Sequence, residues 1–113
     1  VQLFYGKKKM GYETRLVLAV DKEYYEEVHW GKFQGLIEET RVEDDKIIYF
    51  FDWGKGVYKA LDYFLEEIVI REGGYMLSET FGAITLGEDD SDIEHIGMPE
   101  EFGIYLTRDI DVE

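Results

Sequence analysis

The chain has 113 residues, no cysteine, and 26 acidic against 12 basic side chains, a formal charge of −14. That length suits one domain with its own core, and 45% hydrophobic and 16% aromatic residues argue against disorder. The charge repels phosphates and anionic lipid, and the lack of cysteine removes disulfides and thiolate chemistry, so the first exclusions are direct nucleic-acid binding, membrane-surface binding and thiol catalysis.

Residues 1–9 place a short apolar tip before Gly6 and three lysines, the pattern of a fraying arm, an edge strand, or residues upstream of a start at Met10. No apolar run approaches the roughly 18 residues that span a bilayer. Met10-Gly11 is followed at the decisive position by Arg15 instead of Ser or Thr, so it is not a myristoylation signal. The expectation is a cytoplasmic chain with no membrane partner.

Residues 13–20 alternate Thr14, Leu16, Leu18 and Val20 against Arg15, Val17 and Ala19, which predicts a strand buried on both faces. Asp21 then reads as the N-cap of a short helix with Tyr24, Tyr25 and Val28 inward, ended by Gly31. A more polar strand over 35–43 and a strong one over 46–53 flank Asp44-Asp45 and predict a hairpin. After Gly54 and Gly56, the residues Val57, Ala60, Leu61, Phe64, Leu65 and Ile68 form one stripe at helical period, stopped by Gly73-Gly74. Strands over 81–86 and 102–107 close the chain, with Pro99 between them. The expected fold class is α+β: a single domain with a mainly antiparallel sheet and two helices on one face, ferredoxin-like βαββαβ plus a C-terminal strand.

The acidic side chains are the candidate functional feature. Residues 88–113 hold ten acidic residues and one basic, a net of −9, whereas residues 1–20 carry a net of +3. Glu88, Asp89, Asp90, Asp92 and Glu94 form an acidic loop, but an EF-hand counted from Asp90 needs glycine where His95 stands, so no metal site is assigned and a solvated loop is the default. Ser91, Asp92 and His95 supply the residue types of a nucleophilic triad, yet working triads draw them from separate rigid elements, and no catalytic residue is assigned. His29 and His95 alone cannot build a zinc site, and the glycine spacing fits no phosphate-binding motif, so no cofactor is expected. On the helix, Asp62 and Glu66 stand one turn apart, about 5–6 Å, a spacing near that of phosphates along a strand. With Glu67 and residues 88–94, they would form a DNA-like negative surface for a basic partner.

Met10-Gly11-Tyr12, Phe51-Asp52-Trp53, the run from Gly82 through Gly87-Glu88-Asp89-Asp90-Ser91-Asp92-Ile93-Glu94, and the run from Gly103 to Ile110 together resemble small proteins of bacteriophages and prophages. That family has no assigned activity, so the resemblance implies an origin and no functional residue. It points to a non-enzymatic interaction module acting in a host cell, occupying the basic surface of a host nucleic-acid-binding or defence protein. The alternative is a structural or assembly module, a homodimer joined through Tyr58, Tyr63 and Tyr105.

Overall fold

The computed structural model describes residues 13–25, 28–69, 80–89, 92–107 and 109–113. Its centre is an antiparallel sheet of five strands in the order β2-β3-β1-β4-β5. These are β1 (Glu13–Asp21), β2 (Ile37–Val42), β3 (Lys46–Lys55), β4 (Phe81–Gly87) and β5 (Ile93–Gly97). The middle of β1 is buried on both faces because side chains alternate across a strand and both sets are apolar. Leu16, Leu18 and Val20 join Ile47, Tyr49, Phe51, Phe81 and Ala83 on one face, while Val17 and Ala19 join Ile48, Phe50 and Ile84 on the other.

The first face is covered by α1 (Val57–Tyr63), which continues through a wider π-helical turn to Val69. Gly56 takes a left-handed conformation (φ 82°) to turn the chain from β3 into α1, a geometry that suits glycine. Val57, Ala60, Leu61 and Phe64 are buried against the sheet, and Leu65 is half-buried beside them. Burying each large member of this stripe contributes roughly 1.5–3 kcal/mol. Trp30 is the hub: it stacks on Phe64 at 5.9 Å and meets Tyr49 and Phe51 edge-on at 5.4 and 5.1 Å. A 3-10 helix, Gly31–Leu36, completes this layer through Phe33 and Leu36.

The second face is covered by the C-terminal segment. A 3-10 helix (Pro99–Phe102) leads into a small two-stranded sheet, β6 (Ile104–Leu106) with β7 (Ile110–Val112). Phe102, Ile104 and Ile110 cover Val17, Ala19, Ile48, Phe50 and Ile84. The approach is close enough to demand glycine at 82, where a Cβ would lie 2.5 Å from the Pro99 Cα. Lys46 Nζ donates to the Phe102 carbonyl at 2.9 Å and ties the segment to β3.

The α+β class and the antiparallel sheet agree with the sequence, but the ferredoxin-like topology does not describe the molecule. Seven strands are present among the described residues, and the sheet ends in β5, where the sequence predicts part of an acidic loop. The expected strand over 102–107 is shorter and lies off the sheet, because Gly103 (φ 74°) turns the chain onto the second face. Two helical elements, α1 with its π-helical continuation and the 3-10 helix Gly31–Leu36, cover one face as expected, and the C-terminal segment covers the other as well. The helix expected after Asp21 is a turn: Asp21 Oδ1 accepts from the Glu23 amide at 2.9 Å, and its carbonyl accepts from Tyr24 and Tyr25. Tyr25, Val28 and Trp30 are buried at spacings of three and two, which no single helical face provides. Residues 1–12, 26–27, 70–79, 90–91 and 108 lie outside the described residues, and with them the expected arm and the Gly73-Gly74 stop.

Candidate functional site

The helix and the edge strand β5 bring three of the expected carboxylates together. On α1 the apolar stripe faces the sheet, which turns Asp62 and Glu66 sideways along the helix. On β5, Ile96 packs against the first-face cluster, and Glu94, two residues away, shares its side of the strand. Glu94 therefore belongs to a strand facing α1 and not to a loop. The consequence is electrostatic: burial, then Glu66, then Glu94 push the Asp62 carboxyl up from 3.8 to about 6. Asp62, Glu66, Tyr58 and Lys59 line an open cavity of about 360 Å³.

The other expected site residues are distributed differently. Glu88 and Asp89 are exposed in the β4–β5 connection, whose backbone is closed by Gly87 N to Asp92 O and Asp92 N to Asp89 O, each 2.8 Å. Asp92 is half-buried there. Asp90, Ser91 and the Glu67 side chain lie outside the described residues. His95 is exposed on β5, opposite Ile84, and projects to the side of the sheet away from Glu94. Among the described residues, no three His, Asp or Glu side chains converge closely enough to hold a metal ion.

Comparison with protein-family models, with curated proteins and with solved structures returned no match.

Arg15 bridges Asp52 and Asp109, Arg41 approaches Glu39, and Lys46 approaches Glu43; none of these pairs includes Asp62, Glu66 or Glu88. Sequence periodicity carries no signal for two buried hydroxyls without partners among the described residues. Thr85, paired in register with Glu94, and Thr14 have side-chain oxygens without a hydrogen-bond partner among the described residues. The aromatics expected at a dimer surface are partly committed internally. Tyr63 packs against Phe33 at 5.5 Å and donates to the His29 carbonyl at 3.1 Å, whereas Tyr105 is exposed. Among the described residues, no helix is long and apolar enough to cross a membrane.

Proposed function

We propose that this chain is a non-enzymatic, acidic interaction protein of phage type. It acts in the host cytoplasm by occupying the basic groove of a host nucleic-acid-binding or defence protein. The observation that carries this reading is the adjacency of Asp62, Glu66 and Glu94, close enough for each of the other two to hold the Asp62 proton more tightly. Burial is the largest cause of the Asp62 shift, and the part that comes from repulsion by Glu66 and Glu94 is relieved when a partner brings positive charge to them. Glu88, Asp89 and Asp92, in the connection that leads into β5, extend the same negative surface.

The test is capture of host proteins on the immobilised chain at about 50 mM and about 200 mM salt, with double-stranded DNA as competitor. The expected result is retention of a nucleic-acid-binding protein at low salt, released by DNA and by the higher salt. The triple variant Asp62→Asn, Glu66→Gln, Glu94→Gln is expected to retain none. Retention indifferent to salt and to the triple variant would refute the reading.

A further inference from the structure

The opposite edge of the sheet carries an independent feature. β2 is an edge strand, and among the described residues no strand pairs along its outer side. An open edge is a template for another strand unless its side chains forbid the pairing. On β2, Glu39 lies opposite Phe50, Thr40 opposite Tyr49 and Arg41 opposite Ile48. Glu39 and Arg41 therefore share the face of Ile48 and Phe50, where the Arg41 guanidinium lies over the Phe50 ring at 5.0 Å. Thr40 and Val42 point to the other face, and Val42 is 64% exposed.

This short strand is complementary to itself. When two copies run antiparallel about a two-fold axis at Thr40, Glu39 of each stands opposite Arg41 of the other, and Thr40 meets Thr40. Directly opposed side chains lie on the same face, so both ion pairs form beside the Phe50 rings. Register is decided by charge. Moving the axis one residue in either direction sets Glu39 against Glu39 or Arg41 against Arg41. We propose that β2 is a homodimerisation edge, joining two copies of this chain into one continuous ten-stranded sheet. Such a two-fold leaves the α1 faces of both copies on the same side.

The pairing is short, with a bulge between Ile37 and Glu39, and each copy carries a charge of −14. The dimer is therefore weak and is helped by moderate salt, which screens the long-range repulsion. That dependence is opposite to the one expected for the acidic face, and charge-neutral variants of Asp62, Glu66 and Glu94 leave the dimer intact, so the two readings fail separately.

The experiment is sedimentation velocity from about 10 µM to about 1 mM, a range that covers weak association. The wild type is expected to show a monomer–dimer equilibrium that tightens between about 20 and about 150 mM salt. Glu39→Arg and Arg41→Glu should each weaken self-association at least about tenfold. Mixing these two variants should restore a 1:1 dimer, because each then opposes the other's charges. The exchange variant Glu39→Arg/Arg41→Glu, which keeps the wild-type composition, should dimerise like the wild type and decides the matter if a single variant fails to fold. A wild type that stays monomeric throughout, or single variants that dimerise as before without preferring each other, would overturn the proposal.

Discussion

Arg15 Nε donates to Asp109 Oδ1 at 2.8 Å, across 94 positions of sequence. The same guanidinium donates through Nη1 to Asp52 Oδ1 at 3.0 Å, so one side chain of β1 holds both the end of β3 and the β6–β7 connection. Arg15 is only 14% exposed whereas both aspartates are more than half exposed, which keeps the arginine stem packed and its partners partly hydrated. Asp109→Ala is expected to lower stability by about 1 kcal/mol, a charged hydrogen bond discounted for solvent screening. Arg15→Lys should not recover the loss seen in Arg15→Ala, because an ammonium cannot reproduce the two-directional fork. Urea unfolding of the three variants measures both effects.

Gly82 and Gly97 are the tight points of the second face. A Cβ at 82 would press on the Pro99 backbone at 2.5 Å, and one at 97 would lie 2.4 Å from the Phe81 carbonyl oxygen with φ at 69°. Neither neighbour is a flexible side-chain end. Gly82→Ala and Gly97→Ala should each cost about 3 kcal/mol, read as a lowered thermal midpoint, with Gly35→Ala as the nearly neutral comparison because nothing lies within 4 Å of it.

Thr14 should tolerate the loss of its hydroxyl. Its side-chain oxygen is buried without a partner among the described residues. Thr14→Val keeps the shape and removes a desolvated polar atom, so stability should rise by about 1 kcal/mol in chemical denaturation.

Asp62 predicts a pH dependence of definite sign. Its carboxyl is raised to about 6 in the folded chain from an ordinary 3.8. The folded state therefore prefers the protonated form. The penalty is absent below about 3.8, grows between there and about 6, and is complete above. Because much of the group is hydrated, the effect is discounted to about 1 kcal/mol. Asp62→Asn should stabilise the chain by that amount at pH 7 and flatten this part of the profile. Equal unfolding free energies for wild type and variant at pH 7 would refute the assignment.

Strands with two apolar faces were readable in the sequence because their period was unambiguous. The alternation of β1 named the residues of both its faces, and the stripe from Val57 to Phe64 named the buried side of α1. The failures came where pattern was short or shared. Ile93 and Ile96 are too few and wrongly spaced to announce β5 against its acidic surroundings, so the sequence alone places Glu94 in a loop. The cover of the second face depends on Gly82, Gly103 and Pro99 acting together, a relation between distant positions that local periodicity cannot express. For the site, Asp62 and Glu66 followed from helical spacing alone, while the arrival of Glu94 beside them required the sheet order. Arg15 gave no signal at all, since an arginine alternating with apolar residues reads as an ordinary strand position.

The C-terminal cover has a practical corollary. After β5, the described residues from Met98 to Glu113 form the β6–β7 ladder, and they grip the sheet through side chains together with the Met98–Phe81 and Lys46–Phe102 bonds. A backbone nick between Gly97 and Met98 would thus separate a sheet with a bare greasy side from the segment shaped to cap it. The pair forms a natural starting point for a split system reassembled in trans.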